Sequence, residues 1–213
     1  MSEEGRRRVQ APRKLKASRV PRVSGVLLAA GSGSRLGQPK ALVELGGTRL
    51  VDRGIGLLRA GGADPIVVVT GAAPLTLPGV IMVHNPDWPT GMGSSLAVGL
   101  RAVPDGCPAA IVALVDQPLI GAAAVRRLIA AYAAGATVAV AAYHGQPRNP
   151  VLLARAHWPE VIALAAGDVG ARPFLRAHPD LVTPVECADT GQPDDLDTPE
   201  DLDRLTGLLP GQA

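Results

Sequence analysis

Aromatic side chains are nearly missing from this chain of 213 residues, which has two tryptophans, two tyrosines and one phenylalanine. That argues against an aromatic-lined binding groove and calls for a core of Ala, Val and Leu, the residues of close-packed strands and helices. Cysteine is equally scarce. Cys107 and Cys187 are too few and too far apart for a disulfide framework or a zinc site, so both are read as reduced thiols of a cytoplasmic protein. No apolar run reaches the ~20 residues that span a bilayer, and the charged N-terminus has no apolar segment of the signal-peptide kind. His84, His144, His157 and His178 show no metal-ligand spacing and no Ser or Cys nucleophile to partner, so hydrolase readings lack support.

The formal net charge of +2 conceals two unlike regions. Residues 1–22 hold eight Lys or Arg and two Glu, which leaves thirteen cationic against seventeen acidic side chains in residues 23–213, a net of −4. The basic, apolar-poor stretch cannot bury enough surface to fold alone and is expected to be a disordered tail ahead of one domain, 23–213. It has no aromatic residues to stack on bases, so nucleic-acid binding carries little weight. Only three lysines occur, and Lys40 is the one outside the tail. Where arginine is the default cation, a compact point charge at that place hints at a specific task.

What the chain does have is apolar runs alternating with helical patterns. "PIVVVTG", "GVIMVHN" and "AAIVALVD" read as strands after a first one that ends near Ala30. Between them "TRLVDRGIGLLRAGG", with Leu50, Ile55, Leu57 and Leu58 on one face, and "MGSSLAVGLRAV" read as helices, and "AAAVRRLIAAYAAG" follows as another. This order predicts an α/β, Rossmann-like, mostly parallel mixed sheet covered on both faces. "TVAVAAYHGQPRNPVLLA" suggests an antiparallel hairpin. Two short helices, a strand near "LVTPVEC" and a helix capped by Thr198 close the domain.

In such sheets ligands bind off the carboxyl ends of the strands. That rule gathers four segments on one rim: Gly31 to Lys40, Thr70–Gly71, "HNPDWPTGMGSS" and "VDQP". In "VLLAAGSGSRLGQPK" a strand runs through Leu28, Ala29 and Ala30 into Gly31, Ser32, Gly33 and Ser34. Glycines there bring bare N–H groups against an anion, and Arg35 and Lys40 add full charges, which suits phosphate oxygens. A Walker loop is excluded because Gln38 and Pro39 separate Gly37 from Lys40. A dinucleotide fingerprint is weak, because the spacing is GxGxxxG and the second strand ends in Thr70 and Gly71 instead of an acid for ribose. After Asn85, residues Gly91, Gly93, Ser94 and Ser95 stand at a helix N-terminus, a second place for an anion or ribose, with plain capping an equal alternative. Trp88 suits stacking on a ring or a core role equally.

Asp116 emerges where a buried strand meets the rim, and a desolvated acid there needs a cation. Mg²⁺ with a triphosphate fits, because a hard cation takes carboxylate and phosphate oxygens together; a turn or helix cap is the alternative. A second carboxylate is expected from "DTGQPDDLDTPEDLDR", where most acids are solvated charges at a helix start. Asp195 and Asp197 flank Leu196 in an extended approach, so alternation aims both to one side; Asp197 is the first choice and Asp195 the reserve. "GDVGARPFL" offers Asp168 and Arg172 to an acceptor, with a cap and a surface arginine as the plain reading. Two cations in a loop and two acids at a metal are equipment for phosphoryl or nucleotidyl transfer. An attacking phosphate monoester, with a second pKa of ~6, is already anionic at neutral pH and needs no histidine base.

Taken in order, "LLAAGSGSRLGQPKALVELGG", "NPDWPTGMGSSLAVGL", "VDQP", "GQPRNPVLL", "GDVGAR" and "DLDTPEDL" resemble the motifs of nucleotidyltransferases with a nucleotide-diphospho-sugar transferase fold, and within them the molybdenum-cofactor cytidylyltransferase branch. The resemblance runs over residues 23–208 and implies a three-layer α/β/α architecture. It further implies Mg²⁺-dependent transfer of CMP from CTP to the terminal phosphate of molybdopterin, with release of pyrophosphate. By the same resemblance, residues 29–31 and the glycine loop hold the nucleotide, Arg35 and Lys40 the phosphates, and Asp116 the metal. Thr70 and Gly71 then meet the base, Arg148 joins Asp168 and Arg172 at the acceptor, and a molybdoenzyme or its maturation factor is the partner implied. "LAAG" resembles the cytidylyl form more than the "LAGG" of guanylyl relatives. Residues 72–78 are short for the helix usual there in the family, and the basic tail has no family counterpart. The rival readings are GTP as donor, a sugar phosphate or small phosphorylated acid as acceptor, and a non-catalytic nucleotide- or cofactor-binding module. An NAD-dependent oxidoreductase comes last.

Overall fold

The computed structural model describes residues 22–209, so the predicted tail, apart from Arg22, lies outside the described residues. Strand β1 (Val23–Ala29) decides the layering by its alternation. Leu27 and Ala29 face one side of the sheet, Val26 and Leu28 the other, and all four are buried. A strand buried on both faces needs a helical layer on each. Helices α1 (Leu50–Ala60) and α3 (Ala122–Ala133) cover the first face, and α2 (Met92–Ala102) and α4 (Trp158–Leu164) the second. On α1 the core positions are Leu50, Val51, Gly54, Ile55 and Leu58, while Leu57 sits at the margin.

Strand β1 pairs in parallel with β4 (Ile66–Thr70) and β6 (Ala109–Leu114), and β4 pairs in parallel with the edge strand β5 (Ile81–His84). Strand β8 (Gln146–Ala154) lies antiparallel between β6 and β7 (Val138–Tyr143), and β9 (Val182–Glu186) runs parallel to β7. The order is β5-β4-β1-β6-β8-β7-β9, with β8 alone reversed. The predicted mixed sheet and its antiparallel hairpin are therefore present. Apolar runs do not encode their neighbours, so the return of β8 into the place beside β6 is a finding of the structure. A two-residue hairpin, β2 (Glu44–Leu45) with β3 (Thr48–Arg49), is too short to leave a periodic signal. Residues 72–78 form no helix.

Beyond α4, helix α5 (Arg172–Ala177) leads to β9, whose terminal Glu186 accepts backbone N–H groups from His144, Gly145, Cys187 and Ala188. The chain then crosses the rim as a strap. Gln192 N–H donates to Leu119 O at 3.1 Å, and Leu196 N–H to Asp116 O at 2.8 Å, with the Leu196 side chain fully buried. The strap ends in α6 (Pro199–Thr206), where Thr198 and Asp201 form the reciprocal cap, Thr198 Oγ1 accepting from Asp201 N–H and the Asp201 carboxylate from Thr198 N–H. Among the described residues, no helix is long and apolar enough to cross a membrane.

Candidate active site

Off the carboxyl ends of β1 and β6 lies a cleft of about 470 Å³, within the size range of small-molecule sites. Leu28, Ala30 and the loop Gly31, Ser32, Gly33, Ser34 and Arg35 form one wall. Trp88, Pro89, Gly91, Met92 and Ser95, where α2 begins, form another, and Asp116, Asp168, Asp197 and Lys40 complete it. Gly33 has φ +59°, and a Cβ there would stand 2.1 Å from the carbonyl oxygen of Gln38, so the loop closes only with glycine at this position. Its carbonyl accepts the Leu36 N–H at 2.8 Å, which turns Arg35 outward as an exposed side chain.

Asp116 stands directly behind β6, and the Leu196 bond to its carbonyl brings Asp197 alongside. Between the two acids sits Lys40. Its Nζ donates to Asp116 Oδ2 at 2.7 Å and to Asp197 Oδ1 at 2.5 Å. Burial works against the ammonium charge, but the Asp116 carboxylate first and Asp197 after it outweigh that penalty and raise the Lys40 pKa above its usual value. Asp116 Oδ1 is buried without a hydrogen-bond partner. A buried, unsatisfied carboxylate oxygen beside a second acid in a cleft is a donor set suited to a hard divalent ion. Among the described residues no group of three or more His, Cys, Asp or Glu is arranged to hold a metal, so an ion here would take its remaining ligands from substrate and water.

The model of the MobA-like NTP transferase domain matches residues 25–182. The chain belongs to the MobA-like NTP transferase family. It is therefore a nucleotidyltransferase enzyme by family, and its sheet has the nucleotide-diphospho-sugar transferase form. A relative from Paenarthrobacter nicotinovorans called nicotine blue oxidoreductase is 38% identical over 200 residues, 87% of this chain and 97% of that protein. A molybdenum cofactor guanylyltransferase of Rhodobacter capsulatus is 31% identical over 193 residues, 84% of this chain and 96% of its own. The crystal structure of Rv0371c from Mycobacterium tuberculosis H37Rv superposes with a TM-score of 0.76 at 27% identity, covering 89% of this chain and all of that one. A manganese complex of the same protein gives 0.72 over 88% of this chain.

Within this MobA-like cleft the predicted residues part company. Leu28, Ala30, Gly31, Ser32, Gly33, Ser34, Arg35, Lys40, Gly91, Ser95, Asp116, Asp168 and Asp197 all line it. Ala29, Thr70, Gly71, Asn85 and Ser94 are not among its lining residues. The Asn85 side-chain amide is fully buried and donates to Ser94 Oγ at 2.9 Å and Ser95 Oγ at 3.0 Å, so it fixes the start of α2 from behind. Thr70 is buried, and its hydroxyl donates to Val83 O at 3.4 Å; Gly71 packs under the Trp88 ring. Asp168 accepts the Met92 N–H at 3.3 Å. Asp195 turns to Gln117, whose Nε2 donates to it at 2.8 Å; local desolvation and then the charges of Asp116 and Asp197 raise its carboxyl pKa. The two strap acids therefore differ in partner, Asp195 accepting from Gln117 and Asp197 from Lys40.

Two predicted acceptor residues lie outside the cleft. Arg148, exposed, borders a separate cavity of about 570 Å³ with Tyr143, His144 and Gln146, and Arg172 is exposed on α5. Sequence reasoning passed over Gln117, which is buried and also donates to Pro193 O at 3.3 Å, so that it holds the strap against the end of β6. Its signal was a polar residue placed straight after Asp116 at the end of a buried run.

Proposed function

We propose that this enzyme transfers CMP from CTP to the terminal phosphate of molybdopterin, releasing pyrophosphate, with Mg²⁺ as the divalent ion. The observation that carries the reading is the meeting of Asp116 and Asp197 at one point of the cleft, facing the glycine loop. Homology to molybdenum cofactor guanylyltransferases supports the acceptor, and the manganese complex of the mycobacterial neighbour supports a divalent ion. In this reading the backbone N–H groups from Gly31 to Ser34 and the Arg35 guanidinium bind the triphosphate and hold the departing pyrophosphate. Asp116 and Asp197 would hold the ion, which when bound neutralises phosphate charge and orients the attacking oxygen. Trp88 and Asp168 border the space left for the acceptor, whose phosphate arrives as an anion. No protein base is needed. Arg148, beside the neighbouring cavity on the same rim, is assigned to the distal part of a long acceptor; Arg172 has no geometry that supports a part.

Pyrophosphate release by the full chain, measured with each NTP over molybdopterin and a panel of phosphomonoesters, tests this. Turnover with CTP and molybdopterin is expected, and turnover with GTP alone would move the donor assignment. The relative named an oxidoreductase raises hydride transfer as a second reading, since one fold hosts several chemistries. Against it, β4 ends at Thr70 and is followed by Gly71, with no acid there for a dinucleotide ribose. Oxidation of NADH or NADPH coupled to two-electron reduction of an added quinonoid dye, with no turnover of any NTP, would replace the transferase assignment.

A further inference from the structure

The Lys40 side chain does something that a phosphate-binding lysine need not do. Its ammonium hydrogen-bonds both carboxylates of the acid pair, and Lys40 and Asp116 are mostly enclosed, with side-chain exposures of 16% and 19%. We propose that Lys40 acts as a cationic placeholder that closes the Asp116–Asp197 pair to a free divalent ion and opens it when a triphosphate gives the ammonium a second anionic partner. Metal and nucleotide then enter together, and an ion without nucleotide is kept out. The inference rests on the nucleotidyl-transfer reading above, and it concerns what controls entry to that site.

Three features support the handover. A divalent ion on both carboxylates must displace or crowd a positive charge already in contact with them, which like-charge repulsion opposes in a partly desolvated site. The ammonium has three donors, of which the acids take two, so one stays available to a phosphate oxygen before either carboxylate is released. Meanwhile the root of the side chain is fixed, because Ala41 is fully buried and Val43 N–H donates to Lys40 O at 3.1 Å, whereas the four-carbon stem can swing within the one cleft that Lys40 shares with Arg35 and the glycine loop. An arginine would pair bidentately with a single carboxylate and gain nothing by leaving.

Titration of Mn²⁺ against the full chain, with unbound aquo-Mn²⁺ counted by electron paramagnetic resonance and the Mn²⁺–CTP complex formed without protein subtracted from every CTP arm, tests the proposal without turnover. Wild type is expected to bind Mn²⁺ at least ~10-fold more weakly alone than with CTP present, and Lys40→Met to bind Mn²⁺ alone at least ~10-fold more tightly than wild type. Lys40→Arg keeps the charge and should bind Mn²⁺ alone as weakly as wild type, but without the wild-type gain on adding CTP. Should Lys40→Met not fold, Lys40→Gln takes its place. A measurement on wild type needs no variant: with ¹³Cε-labelled lysine, only three side chains give signals, and that of Lys40 should shift on adding CTP with Mg²⁺ but not Mg²⁺ alone. Equal Mn²⁺ affinity of wild type and Lys40→Met in the absence of CTP, with both binding Mn²⁺ when CTP is added, would overturn the placeholder and leave the transferase reading standing. Failure of every protein to take up Mn²⁺ even with CTP would overturn both.

Discussion

The backbone N–H of Leu196 donates to the carbonyl oxygen of Asp116 at 2.8 Å, and with the bond from Gln192 to Leu119 it joins two stretches of chain that lie far apart in sequence. Burial of the Leu196 side chain locks the contact from below, so Asp197 is delivered next to Asp116 by main chain and core rather than by attraction between acids that would repel each other.

The acids should separate by role. Asp116→Asn and Asp197→Asn are each expected to lower kcat/KM by ~100-fold or more, the scale of losing a group that stabilises transition-state charge. Asp195→Asn should stay within about threefold, since its carboxylate accepts from Gln117 and makes no hydrogen bond to Lys40. Steady-state kinetics on the three variants decides it, and an Asp195 loss as large as that of Asp197 would reassign the pair.

Gly33→Ala places a methyl group against the Gln38 carbonyl at a positive φ and forces the loop open. Strain of about 1–3 kcal/mol, confined to the loop, should raise the KM for the nucleotide far more than it lowers Tm. Calorimetry beside nucleotide titration measures both.

Thr198→Ala removes one half of the reciprocal cap of α6. A loss of about 1 kcal/mol and a fall in Tm of roughly 2–4 °C are expected. Because the cap adjoins Asp197, the affinity for Mn²⁺ with CTP should fall as well, whereas a cap of purely local importance would leave it unchanged.

Acid stability carries a signature of Glu186. Backbone N–H groups of Ala188, then Gly145, followed by His144 and Cys187, favour its carboxylate and hold its pKa below the ordinary 4.5, partial desolvation opposing them. The unfolded chain therefore binds this proton more readily than the folded one. The contribution is complete above pH 4.5 and is lost as pH falls through the depressed folded value. Glu186→Gln should lower the urea midpoint at pH 7 and flatten its decline below pH 4.5; parallel curves for both proteins would count against this role.

Much of this was written in local pattern. Strands β1, β4 and β6 announced themselves as apolar runs, and the glycine loop and Asp116 fell on the rim where strand direction requires. Thr198 was legible as a cap because capping is decided within four residues. Asn85 shows the limit, since whether a polar side chain faces a ligand or turns inward to two serines depends on packing that spacing does not carry. The same holds for Lys40, which stands out in sequence as the one lysine beyond residue 22 but whose partners come from positions 116 and 197. Arg148 and Arg172 were placed by motif, and motif order says nothing of which cavity a side chain borders.

The strap that brings Asp197 home lies past residue 182, where the family model's match stops. During synthesis on the ribosome the nucleotide loop and most of the sheet emerge well before that aspartate does. On the proposed assignment of that loop to the triphosphate, the acid pair would be completed only after the loop that faces it, and competence for chemistry would be among the last properties the chain acquires.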